Sequence, residues 1–154
     1  MHQTITNPTH IIGLELRTSN DNGRSFQEIP PFWERFMAEN RMAQIPNPLS
    51  SDLYAIYTHF ENEGKNNEGL YSMIIGCAVS SDTLPPDGFT KVTIPNGNYR
   101  VFPVEPATPE QVGTVWQTIW AIPQDEKRNW SFRCEFDHYH ASGKIDVFIG
   151  LKNS

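Results

Sequence analysis

Two rhythms of apolar and polar residues run along the chain. "THIIGLELRTS" (9–19) is dense in β-branched and aliphatic residues and predicts a strand. "NDNG" (20–23) predicts a turn. In "IPPFWERFMAEN" (29–40) the spacing changes. Trp33, Phe36 and Met37 share one side at i, i+3, i+4, and prolines 30 and 31 suit a first turn, so a helix is expected. "IPNPLSS" (45–51) stops it. "DLYAIYTHF" (52–60) and "LYSMIIGCAV" (70–79) predict strands on either side of the polar loop "ENEGKNNEG". "FTKVTIPNGNYRVFPVE" (89–105) predicts a hairpin about Asn96-Gly97. The clearest helix is "TPEQVGTVWQTIWAIP" (108–123). Thr108 caps it, Pro109 stands at N1, Gln111 completes a capping box, and Val112, Val115, Trp116, Ile119 and Trp120 form the apolar stripe. Strands at 130–140 and 144–151 follow, joined by an "ASGK" turn.

The order strand–helix–strand–strand occurs twice. "PPFWERF" is answered by "GTVWQTIW", and "MIIG" (73–76) by "VFIG" (147–150). The expected architecture is therefore α+β. It has two βαββ halves related by a pseudo-twofold, antiparallel sheets and two helices on one side, in a single domain over 1–154.

The stretch "RNWSFRCEFDHYH" (128–140) raises the functional question. By strand parity, Trp130, Phe132, Cys134 and Phe136 form an apolar face suited to lie under the helices. Arg133, Glu135, Asp137 and Tyr139 point the other way, and a paired last strand places Phe148 on the Asp137 side. Two acids beside aromatic rings fit an ordinary wet sheet face. They equally fit a site for an organic cation, where carboxylate and rings both attract positive charge. Trp33, Trp116 and Trp120 sit on helix stripes, where core packing is the first reading and a pocket rim the second.

Composition narrows the partners. The net charge is -6 over 154 residues, with no Lys/Arg cluster, so phosphate backbones and anionic membrane surfaces are repelled. No apolar run approaches the roughly 20 residues of a membrane span, and "MHQTITNPTH" lacks the basic start and apolar stretch of a signal peptide. Cys77 and Cys134 have no motif spacing and are expected as free thiols in a cytoplasmic protein.

A metal is considered and set aside. His138 and His140 can share an ion, but Cys134 lies about 13 Å from His138 at strand rise. Among the other residues only His59 offers itself as a third ligand. No cofactor motif, nucleophile elbow or phosphate loop is present, and no catalytic residue is assigned.

Taken in order, "IIGLELRTSN", "IPPFWERF", "LYAIYTHFE", "YSMIIGCAV", "VTIPNGNYRVFPV", "VWQTIW", "CEFDHY" and "IDVFIGLK" carry a resemblance that runs nearly end to end. The chain resembles the free-standing effector-binding domain of AraC-type regulators, the gyrase-inhibitor-like fold. Some similar relatives are encoded in integron gene cassettes. The family's penultimate strand carries an Asp-Phe-Glu-x-Tyr pattern, which here reads Glu135-Phe136-Asp137-His138-Tyr139. The resemblance implies a ligand cleft between the halves, with the key acid at Asp137, one methylene shorter than usual. It places the second-strand tyrosine at Tyr57 and the last-strand aromatic at Phe148. The implied ligands are cationic and lipophilic.

Three functions follow from this reading. The first is a stand-alone module that binds hydrophobic organic cations through Asp137, Tyr57, Phe148, Trp116, Trp33, Tyr139 and Glu135, either sequestering them or signalling through a separate regulatory protein. The second is a hydrolase of electrophilic molecules that uses a pocket acid and a tyrosine. The third is an inhibitor of a topoisomerase-like enzyme.

Overall fold

A computed structural model describes residues 1–152. It contains strands β1 (His2–Ile5), β2 (Thr9–Ser19), β3 (Leu53–Thr58), β4 (Leu70–Val79), β5 (Thr90–Ile94), β6 (Gly97–Pro103), β7 (Trp130–Tyr139) and β8 (Ile145–Leu151). Helices α1 (Arg24–Ala38) and α2 (Pro109–Trp120) interrupt them. All eight strands join one antiparallel sheet in the order β1-β6-β8-β7-β3-β4-β2-β5. No helix among the described residues is long and apolar enough to cross a membrane.

The expected duplication is present: β2-α1-β3-β4 and β6-α2-β7-β8 are the two βαββ halves. Sheet order reads symmetrically outward from the β7–β3 seam, where Ile56 faces Phe136. The outermost strands are exchanged. β1 precedes the first half in sequence but pairs with β6 of the second, and β5 precedes the second half but pairs with β2 of the first. The hairpin expected about Asn96-Gly97 is thus corrected. β5 and β6 stand toward opposite edges, because each finds a partner already laid down in the other half.

α1 begins at Arg24, five residues before the expected start. Asn22 and Gly23 have positive φ (56° and 73°) and turn the chain straight from β2 into the helix. Pro30 and Pro31 therefore lie inside α1, not in its first turn, and cannot donate to the carbonyls one turn back. α2 starts as its sequence dictates: Thr108 Oγ1 accepts from the Gln111 N–H at 3.3 Å, with Pro109 at the first helical position.

Both faces of the sheet are buried, which is why β4 is a nearly unbroken apolar run. Away from the helices, Ile11, Ile56, Ile74, Tyr99, Phe136 and Phe148 gather in one cluster as the sheet curls on itself. On the other face α1 covers Ala55, Met73 and Ile75, while α2 covers Val147 and Ile149.

The face assignment on β7 is corrected by this geometry. Phe132 has a positive φ of 49°, and the β7–β8 register shifts between Trp130 and Glu135. Across that bulge the alternation slips. Trp130 and Phe132 join the cluster under α2, whereas Cys134 and Phe136 point to the opposite face. Glu135, Asp137 and Tyr139 therefore face the helices. Cys77 and Cys134 are free, buried and in separate clusters.

Candidate functional site

α1 and α2 do not meet over the seam. Between them, above β3, β4 and β7, lies a cavity of about 940 Å³, the size of a small-molecule site. Its walls are mostly aromatic. Trp33 meets Tyr139 edge-on at 5.5 Å, and Tyr57 meets Trp116 edge-on at 5.2 Å. Phe26 from α1 and Trp120 from α2 touch at 6.1 Å, and both are exposed. They stand at the rim and touch across it.

Two carboxyls lie on the cavity floor. Asp137 faces Ala55 on β3 and Val147 on β8, neighbours short enough to leave the space above it open. It is fully buried, and both its oxygens are engaged. Tyr57 donates to Oδ2 at 2.9 Å, Tyr139 to the same oxygen at 3.5 Å, and the Trp116 Nε1–H to Oδ1 at 2.9 Å. Burial pushes this carboxyl up to about 7, against the downward pull of those three donors.

Glu135 is arranged differently. It faces Tyr57 on β3 and Ile149 on β8, is 6% exposed, and lines the same cavity. It makes no side-chain hydrogen bond with any described residue. Burial first, and then the negative charge of Asp137, push it up to about 8, while the Lys127 ammonium pulls it back. That ammonium is committed elsewhere: it donates to the Trp120 carbonyl at 3.0 Å and lies 5.4 Å from the Trp130 ring centre. The tyrosines are donors. Burial raises the Tyr57 and Tyr139 phenols above their ordinary value, and Tyr71 to about 12.

Six of the seven expected residues line this cavity: Glu135, Asp137, Tyr57, Tyr139, Trp33 and Trp116. Phe148 does not, and this corrects the expectation. The register sets Phe136 against Phe148 and Asp137 against Val147. Phe148 consequently stacks on Phe136 at 4.4 Å and 8° on the far face of the sheet. Parity across a hairpin depends on where the first pair forms, and "ASGK" leaves that open. Tyr71, Phe60 and Phe26 also line the cavity and were not anticipated. Tyr71 alternates with Met73, which pairs with Tyr57, so the β3–β4 register alone would have found it.

His138 and His140 lie away from the cavity, beside Asp52 at the end of β7.

Comparisons with known proteins agree with this architecture. Residues 5–151 match the profile of the Cass2 family, described as integron-associated effector binding protein. No curated protein matches the chain. Solved structures share the fold, three of them as follows. One is the integron cassette protein VCH_CASS2 from the mobile metagenome of Vibrio cholerae: 19% identity, 99% of this chain and 95% of that one, TM-score 0.74. A second is SAV2435 bound to tetraphenylphosphonium: 19% identity, 99% and 93% covered, TM-score 0.76. The third is a bacterial transcription regulation protein from Staphylococcus aureus MU50: 16% identity, 99% and 97% covered, TM-score 0.72. At such identities the likeness establishes the fold.

Proposed function

The chain belongs to the integron-associated effector binding family, and from that premise we propose that it binds hydrophobic organic cations in the cavity between α1 and α2, with Glu135 supplying the free negative charge. The observation that carries this reading is the Glu135 carboxyl, buried in an aromatic cavity without a hydrogen-bond partner among the described residues. Ionised and alone in such a place, a carboxylate is costly, and a cation offsets that cost. The aromatic walls favour a dispersed charge such as a phosphonium or quaternary ammonium. They offer few polar groups to replace the hydration of a compact ammonium. That a structure of the same fold was solved with tetraphenylphosphonium supports the choice of probe.

Asp137 was the acid expected from the sequence to select the ligand. Its three donors leave it a different part, that of orienting Tyr57 and Trp116 toward the ligand. A second reading, hydrolysis of electrophilic molecules, draws on the raised Glu135 and Asp137 carboxyls as proton donors. Against it, the Tyr57 and Tyr139 hydroxyls are both turned to Asp137.

Titration with tetraphenylphosphonium, followed by quenching of Trp116 and Trp33, tests the proposal, with triphenylphosphine oxide as a neutral comparison. The affinity for the cation should rise with pH. Both acids are raised in the free protein, to about 7 and about 8. A cation favours the ionised form and drives off a proton. Below about pH 7 the dissociation constant should therefore fall up to about tenfold per pH unit, flattening above the higher value. The neutral compound should show no such slope. Equal pH profiles for the two compounds would refute the charge assignment, and turnover of an epoxide or activated ester would favour the hydrolase.

A further inference from the structure

On the far side of β7 from the cavity, four side chains converge that neither the fold nor the proposed binding activity uses. Asp52 stands just before β3, His138 is on β7, His140 just beyond it, and Asp146 on β8. Asp52 Oδ2 is 2.8 Å from His138 Nε2 and 4.0 Å from His140 Nδ1. One ligand atom from each of Asp52, His138 and His140 lies within 4.8 Å of the others. Zinc held at about 2.0–2.1 Å by tetrahedral donors spaces them roughly 3.3 Å apart, so these three are already close to that arrangement.

The surroundings are those of a ligand set. Asp52 Oδ1 is occupied by the Ala141 N–H at 2.9 Å, which aims Oδ2 at the two imidazoles. His140 Nε2 is 3.2 Å from Asp146 Oδ2, which orients the ring and leaves Nδ1 facing Asp52. A carboxylate behind a histidine in this manner is the usual support of a metal-bound imidazole. Tyr54 stacks on His138 at 4.3 Å and fixes it from the other side. Asp52 and His140 are partly exposed, 23% and 29%, so an ion has a path in. The two carboxylates supply charge for a dication, and Lys144, 3.6 Å from Asp146 and largely exposed, is the cation now nearest them.

The geometry points to a divalent transition-metal site of Asp52, His138 and His140, supported by Asp146, with solvent completing the shell. Two imidazoles and one carboxylate select zinc and its neighbours over magnesium. The rings now stack at 3.7 Å. Loading the ion splays them about χ2, a soft torsion for histidine, so that both lone pairs converge. The ion would tie β3 to β7 on the seam between the two halves.

Chelator-treated protein should bind one zinc per chain in equilibrium dialysis, and no magnesium. A hundredfold excess of zinc over its dissociation constant should raise the melting midpoint by roughly 5–10 °C. The double variant His138→Ala/His140→Ala should lose zinc altogether. Asp146→Asn should weaken it about 10–100-fold, and His10→Ala, on β2 beside the edge strand β5, should not. In case the double variant fails to fold, the five histidines of the wild-type protein give an independent reading by NMR. Zinc must shift the ring signals of His138 and His140 and leave those of His2, His10 and His59 in place. Absence of stoichiometric zinc, or zinc that moves other histidines instead, would leave only an Asp52–His138 hydrogen bond and overturn the proposal.

Discussion

Glu135→Gln should weaken tetraphenylphosphonium by about ten- to hundredfold above pH 8, the loss of a charged partner in a desolvated site being worth roughly 1.5–3 kcal/mol. A neutral ligand of similar shape should bind as before. The same change should make the ligand-free protein more stable, and the sign follows from the direction of the shift. The Glu135 carboxyl is raised from 4.5 to about 8 on folding, so the folded chain holds a proton that the unfolded chain gives up. Its contribution is nil below about pH 4, and it becomes destabilising as pH rises through the interval up to about 8. Because Asp137 titrates in the same interval, the two share the cost. For Glu135 it is at most on the order of 5 kcal/mol once both are ionised. Melts of wild type and Glu135→Gln should coincide near pH 4 and separate at high pH, with the variant melting higher. Asp137→Asn should cost less affinity. Tyr57 can turn to accept from the new amide while the remaining oxygen still meets Trp116. If Asp137→Asn proves the more damaging to cation binding, the free charge belongs to Asp137.

Gly76→Ala should abolish stable folding. Gly13 and Gly76 face each other directly across β2 and β4. A methyl group at 76 would overlap the Ile12 carbonyl oxygen and lie 2.7 Å from the Gly13 Cα. Neither strand can retreat, since β2 is held by β5 and β4 by β3 on their other sides. The obstacle is backbone, not a side chain that can swing away. A cost above about 4 kcal/mol is expected, a large part of the 5–15 kcal/mol typical of a domain. Gly113→Ala, in α2 with nothing within 4 Å of the added carbon, should instead stabilise by about 0.5–1 kcal/mol. Urea unfolding of both variants measures the contrast. A Gly76→Ala protein within about 1 kcal/mol of wild type would mean that the strands separate more easily than this packing allows.

Much of this was readable from local rules. β2, β4 and α2 lie where apolar density and capping chemistry placed them, because those signals are confined to neighbours in sequence. Six of the seven expected residues line the cavity, and they were named from local signals: the helix stripes for Trp33 and Trp116, and the pattern around Asp137 for the rest. What was missed depends on distant partners. β1 has no apolar signature, since it is largely exposed and only its pairing with β6 makes it a strand. The Asn96-Gly97 turn joins two strands that never pair. Phe148 was placed on the wrong face because hairpin register, not composition, decides it. The bulge at Phe132 reversed the facing of β7 without any glycine to announce it. The carboxylate beside His138 and His140 is Asp52, far from both in sequence and one residue outside its strand, while His59 lies elsewhere, 3.9 Å from Glu15.

The exchanged outer strands have a consequence for how the protein is made. A ribosome releases the chain from the N-terminus, and β1 emerges long before its partner, β6. β3 waits too, because the edge it offers to β7 stays bare until residues near 134–139 are out. While residues 59–133 are being made the nascent chain thus displays an unpaired edge carrying Ala55 and Ile56, the kind of template on which chains stick to one another. Yield in the cell should accordingly depend on how quickly the second half follows the first, and on chaperones that cover that edge in the interval.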